Sequence, residues 1–317
     1  MKMFRHTFIV LVSVVVFVSC DKAINPDLPE IDPFVNINAW VTNEMKVQEI
    51  SVEMTRPYLD NEPIPVVDDA TVTLTNETKD VSMDFVFSSE IGKYQWDPNV
   101  LGDSIGSAGD QFKLTIEHQG TTYESSTVLN RVPAIDSITF EFYEADIFSD
   151  GEDYYWGDFW ALDPKGSGDT YWIRSYKNGV YLNKPYEINI AWDAAFSDGA
   201  EFDNKQFIQP IRNLMNPFDE EETEDISLEP AYDLGDTAYV EIHSVSNEAW
   251  FFISRVITET NRSGGFAALF ATPLADVPTN FIASQSGVNV AGFFNVAAVS
   301  SMEQAVDENS VRDNIPD

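Results

Sequence analysis

Apolar and polar residues alternate along much of this chain, and that period of two limits its fold more than any other feature. In Val35-Asn36-Ile37-Asn38-Ala39-Trp40-Val41 the odd positions are apolar, and the pattern recurs at Ile50, Val52 and Met54, at Ala70, Val72 and Leu74, and at Phe112, Leu114 and Ile116. Successive side chains of a strand point to opposite faces, so alternation gives one face to a core and the other to water. Turn-forming residues interrupt the runs at Asp60-Asn61, Gly102-Asp103, Gly106 to Gly109 and Gln119-Gly120, the last closing a hairpin into Thr122-Tyr123-Glu124. About seven short strands over roughly a hundred residues predict an antiparallel, immunoglobulin-like β-sandwich over residues 34–131.

The strand signal stops at Arg131-Val132-Pro133-Ala134 and resumes at Ile138, Phe140 and Phe142. A second β-rich domain is expected over 132–302, with strands at Tyr171 to Tyr176, at Tyr186, Ile188, Ile190 and Trp192, and at Ala238, Val240 and Ile242. Between Asn247 and Thr260 the period changes. Ala249, Phe252, Ile253, Val256 and Ile257 recur at three and four, which predicts one amphipathic helix near 247–260, ahead of Gly264-Gly265. Residues 303–317 are polar and read as a frayed acidic tail. The expected fold class is mainly β.

At the N-terminus, Lys2 and Arg5 precede an apolar run from Phe8 to Val18, followed by Ser19, Cys20 and the turn-prone stretch Asp21 to Asp27. A spanning helix needs about 20 apolar residues, so residues 1–19 read as a secretory signal peptide rather than an anchor. Cys20, the single cysteine, stands where lipoprotein signal peptidase would leave a new N-terminus for diacylglycerol, with Phe17-Val18-Ser19-Cys20 as the lipobox. Acyl chains contribute about 0.8 kcal/mol per buried CH₂, so several on one cysteine hold a protein to a lipid bilayer. Residues 20–33, with Pro26, Pro29 and Pro33, read as a stiff lipidated linker. Once Cys20 is consumed, no thiol remains for a disulfide, a nucleophile or a zinc site. Stability must then come from a packed core, which 317 residues at 44% hydrophobic composition can supply.

The formal net charge of −35 becomes more negative when the signal leaves with Lys2 and Arg5. Such a field repels phosphate backbones, so nucleic acid is excluded as a partner. Chemistry is sparse. Beyond the signal only His118 and His243 remain, no Gly-x-Ser-x-Gly elbow accompanies either, and both read as solvated strand ends. Phosphate-cradling glycine loops and His-x-x-x-His pairs are missing. Paired carboxylates carry no weight among 53 acidic residues. No catalytic residue, metal ligand or cofactor is therefore assigned. Oxygen-only sites remain open: the acidic stretches Asp150-Gly151-Glu152-Asp153 and Asp219 to Asp225 are dense enough in carboxylates to hold calcium, which takes six to eight oxygens, although neither has the spacing of a calcium loop. The most unusual local feature is Tyr154-Tyr155-Trp156-Gly157-Asp158-Phe159-Trp160. On a loop, Trp156, Phe159 and Trp160 would contact a ligand or a protein partner. Alternatively the rings fold back onto the second sheet, with Phe159 and Trp160 beginning a strand.

A set of short segments, in order, resembles a known family. They are Ser19-Cys20, Asp27-Leu28-Pro29-Glu30, Trp40-Val41-Thr42-Asn43-Glu44, Thr55-Arg56-Pro57-Tyr58, Pro65 to Ala70 leading into Val72-Thr73-Leu74, and Val132-Pro133-Ala134-Ile135-Asp136-Ser137-Ile138. The second half adds Gly235-Asp236, Phe270-Ala271-Thr272-Pro273, Pro278-Thr279-Asn280, and Gly292-Phe293-Phe294 leading to Val299-Ser300-Ser301. The chain is similar over nearly its whole length to the Bacteroidota outer-membrane lipoproteins called domain of unknown function 4249. Leu274 stands where that family often has a second proline. The resemblance implies a surface-exposed lipoprotein encoded beside a TonB-dependent receptor, in the manner of starch-utilisation pairs. The expected function is that of a non-enzymatic accessory or substrate-capture partner of a TonB-dependent outer-membrane transporter. An adhesion or envelope-scaffolding lipoprotein and a carboxylate-based surface hydrolase are the alternatives.

Overall fold

The structure is a computed structural model that describes residues 32–57, 60, 62–100, 102–144, 153–217, 231–261 and 277–312. It is mainly β, as the alternation predicts. The first strand, β1 (Val35–Thr42), buries Ile37, Ala39 and Val41 completely and turns Asn38 to solvent. From β1 the hydrogen bonds run through β2 (Gln48–Met54), β5 (Lys93–Trp96), β4 (Val81–Ser88), β3 (Thr71–Asn76), β6 (Gln111–His118) and β7 (Thr121–Val128). The β6–β7 turn is the Gln119-Gly120 pair, both at positive φ (46° and 79°). That two-residue geometry matches the twist of the flanking strands.

This sheet recruits two strands from the far end of the chain. β15 (Val290–Ala297) pairs in parallel with β1 along its full length, and β14 (Ile282–Ala283) pairs with β7, giving nine strands. The path also curls, since Asn130, just past β7, bridges Ala297 at the end of β15. The core inside includes Leu74, Phe112, Leu114 and Ile116, completed by Phe281, Phe294, Val296 and Ala298.

A second core lies between two smaller sheets. One holds β11 (Val180–Leu182), β10 (Thr170–Lys177), β13 (Thr237–Val245) and β16 (Val299–Ala305), with β12 (Asn189–Trp192) also on β10; the other holds β17 (Val311–Arg312), β8 (Ile135–Tyr143) and β9 (Tyr154–Ala161). Tyr171, Ile173, Val240, Ile242, Phe140, Phe159 and Phe207 fill it. The β10–β11 turn, Asn178-Gly179, again has both residues at positive φ. All seventeen strands of the described residues belong to one compact unit.

The long helix spans Asn247–Thr260, where the change of period placed it. Ser246 caps it, its Oγ accepting from the Ala249 amide at 3.1 Å. Two expectations need correction. Only Asn189–Trp192 of the run from Tyr186 is a strand, because the chain turns at Lys184 to Glu187 and the Glu187 carboxylate accepts from the Lys184 amide. The tail is not frayed up to Arg312: residues to Ala305 complete β16, and β17 pairs in parallel with β8. Among the described residues, no helix is long and apolar enough to cross a membrane.

Candidate functional site

Cys20 lies outside the described residues, as do 150–152 and 219–225 of the two acidic stretches. The aromatic run is not a loop but the strand β9, antiparallel to β8. Alternation sends Gly157, Phe159 and Ala161 inward. Phe159 has no exposed surface and packs on Phe207 at 5.8 Å, which puts its ring out of reach of a surface partner. At Gly157 the backbone packs closely on the core: an added Cβ would meet Met215 Cε at 2.9 Å and Phe140 Cε1 at 3.2 Å. Its peptide is bracketed by Asn216, whose side chain accepts from its N–H at 2.7 Å and donates to its carbonyl at 2.8 Å.

Trp160 points the other way and is half-buried. Its indole N–H donates to Thr139 Oγ1 at 2.8 Å, and the guanidinium carbons of Arg212 and Arg312 lie 4.0 and 4.2 Å from its ring centroid. Arg212 is also paired with Asp158 at 3.2 Å, and burial raises the Asp158 carboxyl's pKa against the pull of that guanidinium. Trp156, likewise half-buried, donates its indole N–H to the Asn213 side-chain oxygen at 3.0 Å in the amide orientation that satisfies both groups. Two of the three expected aromatics, Trp156 and Trp160, thus share one outward face with two arginines.

A second constellation was not visible in the sequence. His243, expected at a solvated strand end, sits within β13 and is 4% exposed. Register places it opposite Trp172, and Glu241 opposite Arg174, on the sheet face away from the second core. His243 Nε2 lies 2.9 Å from Glu241 Oε2. A carboxylate only accepts, so that nitrogen carries the proton. Burial drives the His243 pKa down, and the ring is neutral at pH 7. Burial alone would raise Glu241, but the hydrogen bond from His243 and the nearby cations Lys46 and Arg174 hold it at about 2. Tyr239 and Tyr176 donate to the same carboxylate at 3.0 and 3.3 Å. The Arg174 guanidinium rests 4.5 Å from the Tyr181 ring and 5.3 Å from that of Trp172.

Beside His243 is a small pocket of about 30 Å³ lined by Trp40, Thr42, Trp172, Arg174 and Asn295. That is room for an ordered water. Trp172 Nε1 and Arg174 Nε are buried there without a protein partner. The carboxylate is saturated and the imidazole shielded, so this group ties the β1–β2 turn, through Lys46, to the face of β13. Among the described residues one carboxylate group has the geometry to hold a metal ion: Asp163, Asp169 and Asp193.

A family model described as a domain of unknown function (DUF4249) matches residues 21–303. A search of curated proteins finds no match.

Proposed function

This chain belongs to the DUF4249 family, and from that premise we propose that it is a lipid-anchored outer-membrane protein of Bacteroidota type that serves, without catalysis, as an accessory or substrate-capture partner of a TonB-dependent transporter. The observation that carries the reading is the N-terminal boundary. The signal-like segment ends at Ser19-Cys20, and the family match begins at the next residue, Asp21. The shared body therefore starts where a lipidated cysteine would leave off. In this reading the folded body is displayed on the extracellular side of the outer membrane.

The geometry favours binding over turnover. The buried His243–Glu241 pair is closed to a substrate, whereas Trp160, with Arg212 and Arg312 over its ring, forms a partly exposed patch of the residue types that dominate protein contacts. Asp158 answers one of the two arginines, so the patch presents both signs of charge beside the ring. The test is a mild-detergent pull-down of the tagged protein from its native outer membrane, with mass spectrometry of what co-elutes. A stoichiometric TonB-dependent barrel is expected, with recovery reduced in Trp160→Ala. The lipoprotein recovered intact and alone would overturn the reading and favour adhesion or scaffolding.

A further inference from the structure

Three aspartates converge from separate segments: Asp163 two residues after β9, Asp169 immediately before β10, and Asp193 immediately after β12. One carboxylate oxygen of each lies within 4.8 Å of the other two. Asp163 and Asp193 have no exposed surface. Asp163 accepts from the Tyr171 hydroxyl at 2.7 Å through Oδ1 and from the Asn204 amide at 3.2 Å through Oδ2. Asp169 faces the Arg131 guanidinium with both oxygens. Asp193 Oδ1 accepts from the amides of Gly168 and Asp169 at 2.7 and 3.0 Å, but its Oδ2 is buried and has no partner.

That orphaned oxygen is the second fact, beyond the clustering of acids. A carboxylate oxygen sealed from water without a hydrogen bond loses its hydration with nothing in return. The guanidinium nearby does not relieve it. Arg131 is committed to Asp169 and to the carbonyls of Pro164, Lys165 and Gly166. One guanidinium set against three carboxylates leaves two negative charges unbalanced. Burial and the charges of Asp169 and Asp193 accordingly push Asp163 up to about 6, against its two hydrogen bonds, and burial raises Asp193 as well.

We propose that Asp163, Asp169 and Asp193 bind a calcium ion, with Asp193 Oδ2 as a central ligand. Calcium–oxygen distances of about 2.3–2.6 Å let oxygens up to about 5 Å apart share one ion, and waters complete the shell. Magnesium, at about 2.0–2.1 Å, spans only oxygens up to about 4.2 Å apart, so it tolerates less of that 4.8 Å range. The ion would bind the start of the Pro164–Gly168 loop to its end and to Asp193, beside the loop's existing tie to Arg131.

The experiment is calcium titration of the full mature protein after EDTA treatment, followed by calorimetry and by thermal unfolding. One ion per chain is expected, with a Tm higher by about 5 °C or more at calcium one hundredfold above its Kd. In Asp193→Asn, which keeps the Oδ1 acceptor, affinity should fall at least about tenfold, as should that of Asp163→Asn. Absence of calcium binding by the wild-type protein at millimolar concentration would overturn the proposal without recourse to any variant. So would binding that survives both substitutions, which places the ion elsewhere, or a preference for magnesium.

Discussion

Glu241 is a carboxylate on a strand that alternates as regularly as any in the chain, yet three hydroxyl or ring donors and two cations surround it. Its folded pKa of about 2 lies below the ordinary 4.5. A depressed acid contributes stability that is fully present above pH 4.5 and lost as pH falls towards 2. The depressed His243 acts in the same direction, because the unfolded chain takes up a proton below about pH 6.5 that the buried ring refuses. Glu241→Gln is therefore expected to cost on the order of 3 kcal/mol at pH 7, and this difference should shrink towards zero by pH 2. Denaturant midpoints of both proteins across that range check it, and a pH-independent difference would exclude the electrostatic account. None of this was legible in the residues. Alternation correctly assigned Ala238, Val240 and Ile242 to one face of β13, but it made the opposite face wet. Only the approach of Lys46 and the packing of Trp172 and Arg174 around it make that face a buried polar site.

At the scale of elements, the period of the apolar residues decided most outcomes. Hairpin β6–β7 and the helix at 247–260 form where the pattern and the turn residues put them. The Asn178-Gly179 hairpin follows from its two residues, which favour positive φ at both positions of a tight turn. The aromatic run is a strand because Gly157, Phe159 and Ala161 alternate with Asp158 and Trp160, a pattern that five aromatic rings in seven residues obscure. The pairing of β1 with β15 had no local signal at all. Its requirement is found at Gly292, which has φ of 95° and whose added Cβ would overlap the Ile37 carbonyl oxygen. Gly292→Ala should destabilise the protein by roughly 3 kcal/mol or more, since both the backbone conformation and the interstrand contact oppose the methyl group. Equilibrium unfolding measures this, and a loss below about 1 kcal/mol would mean that the two strands part without consequence.

Among the described residues there are two large cores and a small third one at Val245, Ala249 and Phe293, and the first is not made from the first part of the chain alone. Phe281, Phe294, Val296 and Ala298 enter it, and β15 covers the edge of β1. Further bonds join the halves: Asn43 N–H to the Ala297 carbonyl at 2.9 Å, and Asn130 Nδ2 to the Val245 carbonyl at 2.9 Å. A fragment of residues 34–131 is thus expected to lack a cooperative unfolding transition and dispersed amide resonances, whereas the chain from 34 to 312 should show both. A fragment that folds cooperatively would show that the first core closes without its late strands. The sequence by itself determined the β class, the helix and the Gln119-Gly120 turn, because each depends on residues within a few positions of one another. Tertiary structure alone decided that the last strands complete the first sheet, that His243 is buried rather than wet, and that Asp163, Asp169 and Asp193 meet. These depend on which distant segments pack together, and alternation states only that a face is buried, not what buries it.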